Sequence, residues 1–166
     1  MKIKLGMIGC GAIGSDVAKA ADNMDDIKEI YLYDIDKKAS ENLNKSLKKS
    51  KISTVDDFLD SVDVVFEAAS QQAVKEYAEK TITAGKDLII MSIGSLFDDD
   101  FRNKLKNLAQ KNKGKIYLPS GAVCGIDGVL SANITDVDEV TLVTTKPPKA
   151  LDKDFDKRTV VFKGNA

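Results

Sequence analysis

Along residues 1–118 the hydrophobic positions fall into two alternating textures. Short, continuous apolar runs closed by a glycine, an acid or a proline read as strands buried on both faces: Ile3–Ile8, Ile27–Tyr33, Asp63–Glu67, Asp87–Ser92 and Lys115–Leu118. Between them lie stretches whose apolar residues recur every three or four positions, the mark of an amphipathic helix: Ile13–Ala21, Lys37–Leu47, Gln71–Ala84 and Phe101–Asn112. The run Asp98–Asp100 sits where acids cap a helix and complement its dipole, so it predicts a helix start and not a metal site. Strands alternating with helices predict an α/β fold, a doubly wound parallel sheet of the Rossmann type. Beyond residue 122 the pattern changes. Val140–Pro148 alternates apolar residues with threonine, Thr159–Gly164 is a second strand-like run, and Lys149–Arg158 is a charged loop. The expected organisation is a dinucleotide-sized domain over 1–122 and the start of an incomplete antiparallel domain over 123–166.

Charge and composition narrow the chemistry. The 166 residues carry 25 basic and 26 acidic side chains, which gives no electrostatic footprint for nucleic acid or a membrane surface. The Lys-rich tract 45–51 is interleaved with enough acid nearby to read as a solvated helix end. No apolar run approaches the ~20 residues that span a bilayer. The chain has no histidine, and its two cysteines, Cys10 and Cys124, are far apart, so zinc is not expected and a cytoplasmic, reduced state is. An unfinished second sheet would leave an edge exposed, which predicts coverage by a second copy of the chain or by a partner.

The candidate chemistry lies at the end of the first strand. There Ile8–Asp16 reads IGCGAIGSD, with glycines at Gly9, Gly11 and Gly14. A G-x-G-x-x-G pattern alone is weak; after a strand and at the opening of a helix it reads as a dinucleotide fingerprint. Gly9 serves the tight turn, Gly11 the approach of a pyrophosphate, and Gly14 the packing of helix on strand. Ala12 and Ile13 open the helix and supply free N–H groups to phosphate. Asp34 falls twenty residues after Gly14, at the end of the second strand, where a carboxylate can accept both ribose hydroxyls of NAD. Lys37 and Lys38 are near enough to admit NADP as well, and Asp36 reads as a turn residue. Small residues follow the later strands in EAAS (67–70), SIGS (92–95) and PSGA (119–122), so Ala69, Ser70 and Ser92 are expected along the nicotinamide half.

Several longer stretches make the chain similar to the L-aspartate dehydrogenases of archaea and bacteria. They are IGCGAIG (8–14), VFEAASQQAVKEYAEK (65–80), DLIIMSIGSL (87–96), LPSGAVCGIDGV (118–129) and VTLVTTKPP (140–148). The resemblance implies oxidation of L-aspartate by NAD or NADP to iminoaspartate, which yields oxaloacetate and ammonia or feeds NAD synthesis. It also implies a nicotinamide-side contact at Ala122. Members of the family carry, further along, an asparagine that contacts the cofactor and a catalytic histidine; neither has a matching position here, so no catalytic residue is assigned.

Cys124 follows the SGA turn, and related Rossmann dehydrogenases acting on aldehydes use a cysteine nucleophile. A thiolate there needs a histidine partner that this chain lacks, so packing is the expected role of Cys124, as of Cys10. A reading of a different class also stands: a dinucleotide-binding or redox-sensing protein without catalysis of its own.

Overall fold

The computed structural model describes residues 2–120, 130, 139–148 and 159–160. The chain divides into two units, Met1–Cys124 and Gly125–Ala166. In the first, β1 (Ile3–Ile8), α1 (Ala12–Asp22), β2 (Ile27–Tyr33), α2 (Lys37–Lys45), β3 (Ser50–Ile52), α3 (Val55–Leu59), β4 (Val64–Glu67), α4 (Gln71–Thr83), β5 (Asp87–Ile90), α5 (Asp99–Asn112) and β6 (Ile116–Tyr117) follow one another, with a 3-10 turn at Ile93–Phe97.

The strands form one parallel sheet in the order β3-β2-β1-β4-β5-β6. This is the doubly wound order, whose direction of winding reverses beside β1, so the switch point lies between β1 and β4. Side-chain alternation divides the core into two layers. Leu5 and Met7 of β1, Ile30 and Leu32 of β2 and Phe66 of β4 pack with Ala18, Ala21 and Leu43. Ile8, Tyr31 and Val65 point the other way, onto Phe58, Val74, Ala78, Ile82 and Leu105. The parallel crossovers therefore bury the four central strands, β1, β2, β4 and β5, between helices, as their apolar runs require.

Among the described residues, side chains cap α2, α3, α4 and α5. Asp36 accepts from Lys38 N, Thr54 from Asp57 N, Ser70 from Ala73 N, and Asp98 from Asp100 N and Phe101 N. Asp98 is thus the cap, and Asp99 and Asp100 occupy the first turn of α5. Of these five helices α1 alone starts without a side-chain cap among the described residues, at Gly11.

Three elements lack a counterpart in the hydrophobic pattern: β3, α3 and the 3-10 turn. β3 has three residues on the sheet edge, and α3 is a five-residue helix held by Thr54 and by buried Val55, Phe58 and Leu59. α2 stops at Lys45, before Leu47, and β5 stops at Ile90, before Ser92. The expected strand Val140–Pro148 is not formed among the described residues: Glu139–Pro147 has no ladder partner, and Val140, Leu142 and Val143 are 60–72% exposed. Alternation alone does not make a strand without a neighbour to supply the hydrogen bonds. The boundary expected at residues 122 and 123, most of Thr159–Gly164, and Ala122 and Cys124 lie outside the described residues.

Candidate dinucleotide site

The loop between β1 and α1 is shaped by two glycines that the protein itself requires. Gly9 has φ +101°, in the left-handed region, and a Cβ there would lie 2.6 Å from the Ala68 carbonyl oxygen. A Cβ on Gly14 would collide with the Gly9 carbonyl oxygen, so only glycine lets α1 approach the loop this closely. Gly11 is different. Its φ of −70° suits any residue, and a Cβ there would meet nothing within 4 Å. Neither backbone strain nor packing explains a glycine at 11; the open space above it does, if a ligand comes there.

The same loop presents unpaired donors. First-turn amides of a helix have no intrahelical acceptor. Among the described residues neither Ala12 N nor Ile13 N finds one elsewhere, and α1 has no acid in its first turn. The dipole and these amides favour an anion at this helix start. Ser15 Oγ donates to the Cys10 carbonyl at 2.9 Å and holds the loop against the helix.

Asp34 stands directly beside this mouth. Cys10 N donates to its Oδ2 at 2.6 Å and Asp36 N to its Oδ1 at 2.8 Å. A carboxylate offers about four lone-pair positions, so each oxygen keeps capacity for another donor, as ribose hydroxyls would be. Ile35, next in sequence, is 92% exposed. Asp36 spends its side chain capping α2, which matches its reading as a turn residue. Behind Asp34, the hydroxyls of Tyr33 and Tyr77 meet at 2.9 Å with their rings edge to face, tying β2 to α4. Burial, then the hydrogen bond with Tyr33, pushes the Tyr77 hydroxyl well above the usual tyrosine range.

Cys10 points away from the mouth into the layer under α1, 5% exposed, with Sγ 3.7 Å from the Tyr33 carbonyl. Burial, and next the Asp34 carboxylate, push its thiol up to about 12 from an ordinary 9.0. It is a packed thiol and not a nucleophile.

On the other side of β1, Ala69, Ser70 and Ser92 gather around Glu67. This residue, only 2% exposed, accepts from Ala69 N at 2.8 Å, Ser70 N at 3.0 Å, Ser92 N at 3.0 Å and Ser92 Oγ at 2.8 Å. The sequence pattern EAAS points to the small residues and assigns no role to Glu67. The available signal was an acid closing an otherwise apolar strand, VVFE, at the switch point. All the described site residues thus lie at the carboxyl ends of β1, β2, β4 and β5, in one crevice edge. Among the described residues no His, Cys, Asp and Glu cluster could hold a metal, and no helix is long and apolar enough to cross a membrane. A cavity of about 480 Å³ between α5 and β6, lined by Leu96, Leu105, Ala109, Ile116 and Leu118, includes none of the site residues.

A doubly wound sheet, a glycine turn with room left over Gly11, an uncapped helix start and an acid at the end of β2 define a dinucleotide-binding Rossmann domain. The chain belongs to the family of NAD-binding domains described for homoserine dehydrogenase, whose profile matches residues 9–119. The resemblance to L-aspartate dehydrogenases runs along nearly all of it. The enzyme of that name from Methanothermobacter thermautotrophicus is 37% identical over 163 residues, 98% of this chain and 63% of that one. The Methanosarcina barkeri counterpart is 37% identical over 99% of this chain and 66% of its own. The crystal structure of aspartate dehydrogenase from Thermotoga maritima superposes with a TM-score of 0.67 at 27% identity, covering 98% of this chain and 64% of that one. The chain therefore spans somewhat under two thirds of the length of these relatives.

Proposed function

We propose that this chain is the cofactor-binding portion of an L-aspartate dehydrogenase, acting with NAD or NADP. The observation that carries the reading is the contrast within the glycine turn: Gly9 and Gly14 are required by the protein's own packing, whereas Gly11 leaves open space into which a diphosphate can come. The 37% identity to L-aspartate dehydrogenases over 98% of the chain supports the substrate.

In this reading the N–H groups of Ala12, Ile13 and Gly14 hold the diphosphate, and Gly11 lets it come close. Asp34 takes the adenosine ribose hydroxyls with the acceptor capacity it retains, which favours NAD over NADP because a 2′-phosphate would meet a carboxylate. Ala69, Ser70 and Ser92 line the nicotinamide half, and the resemblance to L-aspartate dehydrogenases implies a further contact at Ala122. The bound nicotinamide supplies the hydride acceptor for oxidation at the α-carbon of L-aspartate. The residues of this chain bind and orient; the proton acceptor and the cations for two substrate carboxylates are not assigned among them. A homo-oligomer, in which a second copy covers the edge expected of the unfinished second sheet, and a cytoplasmic location complete the proposal.

A second reading, a dinucleotide-binding protein without chemistry of its own, is favoured by the lack of histidine in all 166 residues. One pair of measurements separates the two. Reduction of NAD on addition of L-aspartate, followed by reduced-nicotinamide absorbance, supports the dehydrogenase. A rise in melting temperature with NADH, with no turnover at high protein loading, supports the second; a tenfold excess over Kd gives about 1.4 kcal/mol of stabilisation. Absence of both responses would overturn both readings.

A further inference from the structure

We infer that Glu67 is the positioning residue of the nicotinamide half of the cleft, a role that rests on the dinucleotide reading above. Glu67 closes β4, level with Ile8 of β1 and Ile90 of β5. Its carboxylate lies inside the sheet edge, 2% exposed, and so is not itself placed to touch a ligand. It reaches two separate connections. Oε1 accepts from Ala69 N and Ser70 N in the turn that leads into α4. Oε2 accepts from Ser92 N, in the turn that leaves β5, and the Ser92 hydroxyl adds a bond to Oε1. One side chain thereby joins the two loops that flank the switch point on the side away from Asp34.

The chemistry explains why the residue is an acid. Three backbone N–H groups and a hydroxyl converge on it, and only a carboxylate accepts at both terminal atoms. A glutamine would set an N–H₂ group against at least one of these donors. The consequence is a fixed relation between Ser70, the cap of α4, and Ser92, which opens the 3-10 turn Ile93–Phe97. Where a dinucleotide lies across a switch point, the adenosine half goes to the β2 side and the other half to the β4 and β5 side. Glu67 should therefore matter to the half of the ligand that Asp34 does not hold.

The test compares NADH with ADP-ribose, which lacks the nicotinamide, binding to the wild-type chain and to Glu67→Gln. The expected result is that NADH binds about tenfold more weakly to the variant, whereas ADP-ribose changes by less than about twofold. Equal weakening of both ligands, or no weakening of either, would overturn the role while leaving the dinucleotide site intact. Failure of the wild-type chain to bind ADP-ribose would overturn the dinucleotide reading itself. A measurement on the wild-type chain alone guards against a variant that does not fold. Before any ligand is added, amide hydrogen exchange at Ala69, Ser70 and Ser92 should be slow compared with Ala12 and Ile13. Rapid exchange at the three tethered amides would contradict the inference.

Discussion

Two carboxylates flank β1 at the same edge of the sheet, and they are used in opposite ways. Asp34, after β2, accepts two backbone N–H groups and keeps room for more. Glu67, at the end of β4, accepts four donors and is sealed from solvent. An acid with spare acceptor capacity beside an uncapped helix start can recognise a ligand. An acid whose capacity is filled by its own loops can only build the place where a ligand sits. The glycines repeat the contrast: a Cβ on Gly14 would meet the Gly9 carbonyl oxygen, whereas one on Gly11 would meet nothing within 4 Å.

Replacement of Glu67 should break the built side most severely. Glu67→Leu leaves three backbone N–H groups without their acceptor, at a cost of about 3 kcal/mol in denaturant unfolding. Gly14→Ala forces a methyl against the Gly9 carbonyl and should cost about 2 kcal/mol, measured in the same way. If either variant unfolded at the wild-type midpoint, the division into built and binding positions would be wrong.

The binding side should respond in the other currency. Gly11→Ala is expected to change stability by less than about 1 kcal/mol, yet to weaken NADH by about tenfold, read by titration calorimetry. Asp34→Ala should weaken NAD more than NADP, because it removes a ribose acceptor from one and a repulsive charge from the other; equal weakening would show that the acid does not meet the ribose.

The smallest effect concerns the thiol between the two sides. Cys10 binds its proton more tightly folded than unfolded, so its contribution to stability is complete below pH 9.0 and is lost as pH rises towards about 12. Over that window wild-type stability should fall more steeply with pH than that of Cys10→Ala. Parallel curves would mean that the thiol titrates as freely in the fold as outside it.

How much of this was legible in the sequence follows from how local each cause is. Five of the six strands and the four longer helices were readable because each strand carries its own apolar run and each helix its own apolar period; Ile3–Ile8 and Ile27–Tyr33 agree with β1 and β2 to the residue. α3 was missed because five residues are too few to show a period, although Thr54, three before Asp57, is a capping signal: its Oγ1 accepts from Asp57 N and donates to the Asp57 carboxylate. β3 was missed because three edge residues acquire their strand character from β2 alone. Val140–Pro148 had the alternation of a strand but no ladder partner among the described residues. In the site, Gly9, Gly11, Gly14 and Asp34 were readable because their spacing follows from strand and helix lengths. Glu67 was not, because its role depends on β5 lying next to β4, a non-local fact.

The account stands most directly on what occupies the space above Gly11. Calorimetric titration of NADH into the wild-type chain and into Gly11→Ala, with melting curves of both, tests it. The account predicts one saturable binding event that weakens in the variant while the melting temperature barely moves. Absence of binding to the wild-type chain, or equal affinity in the two proteins, would contradict it.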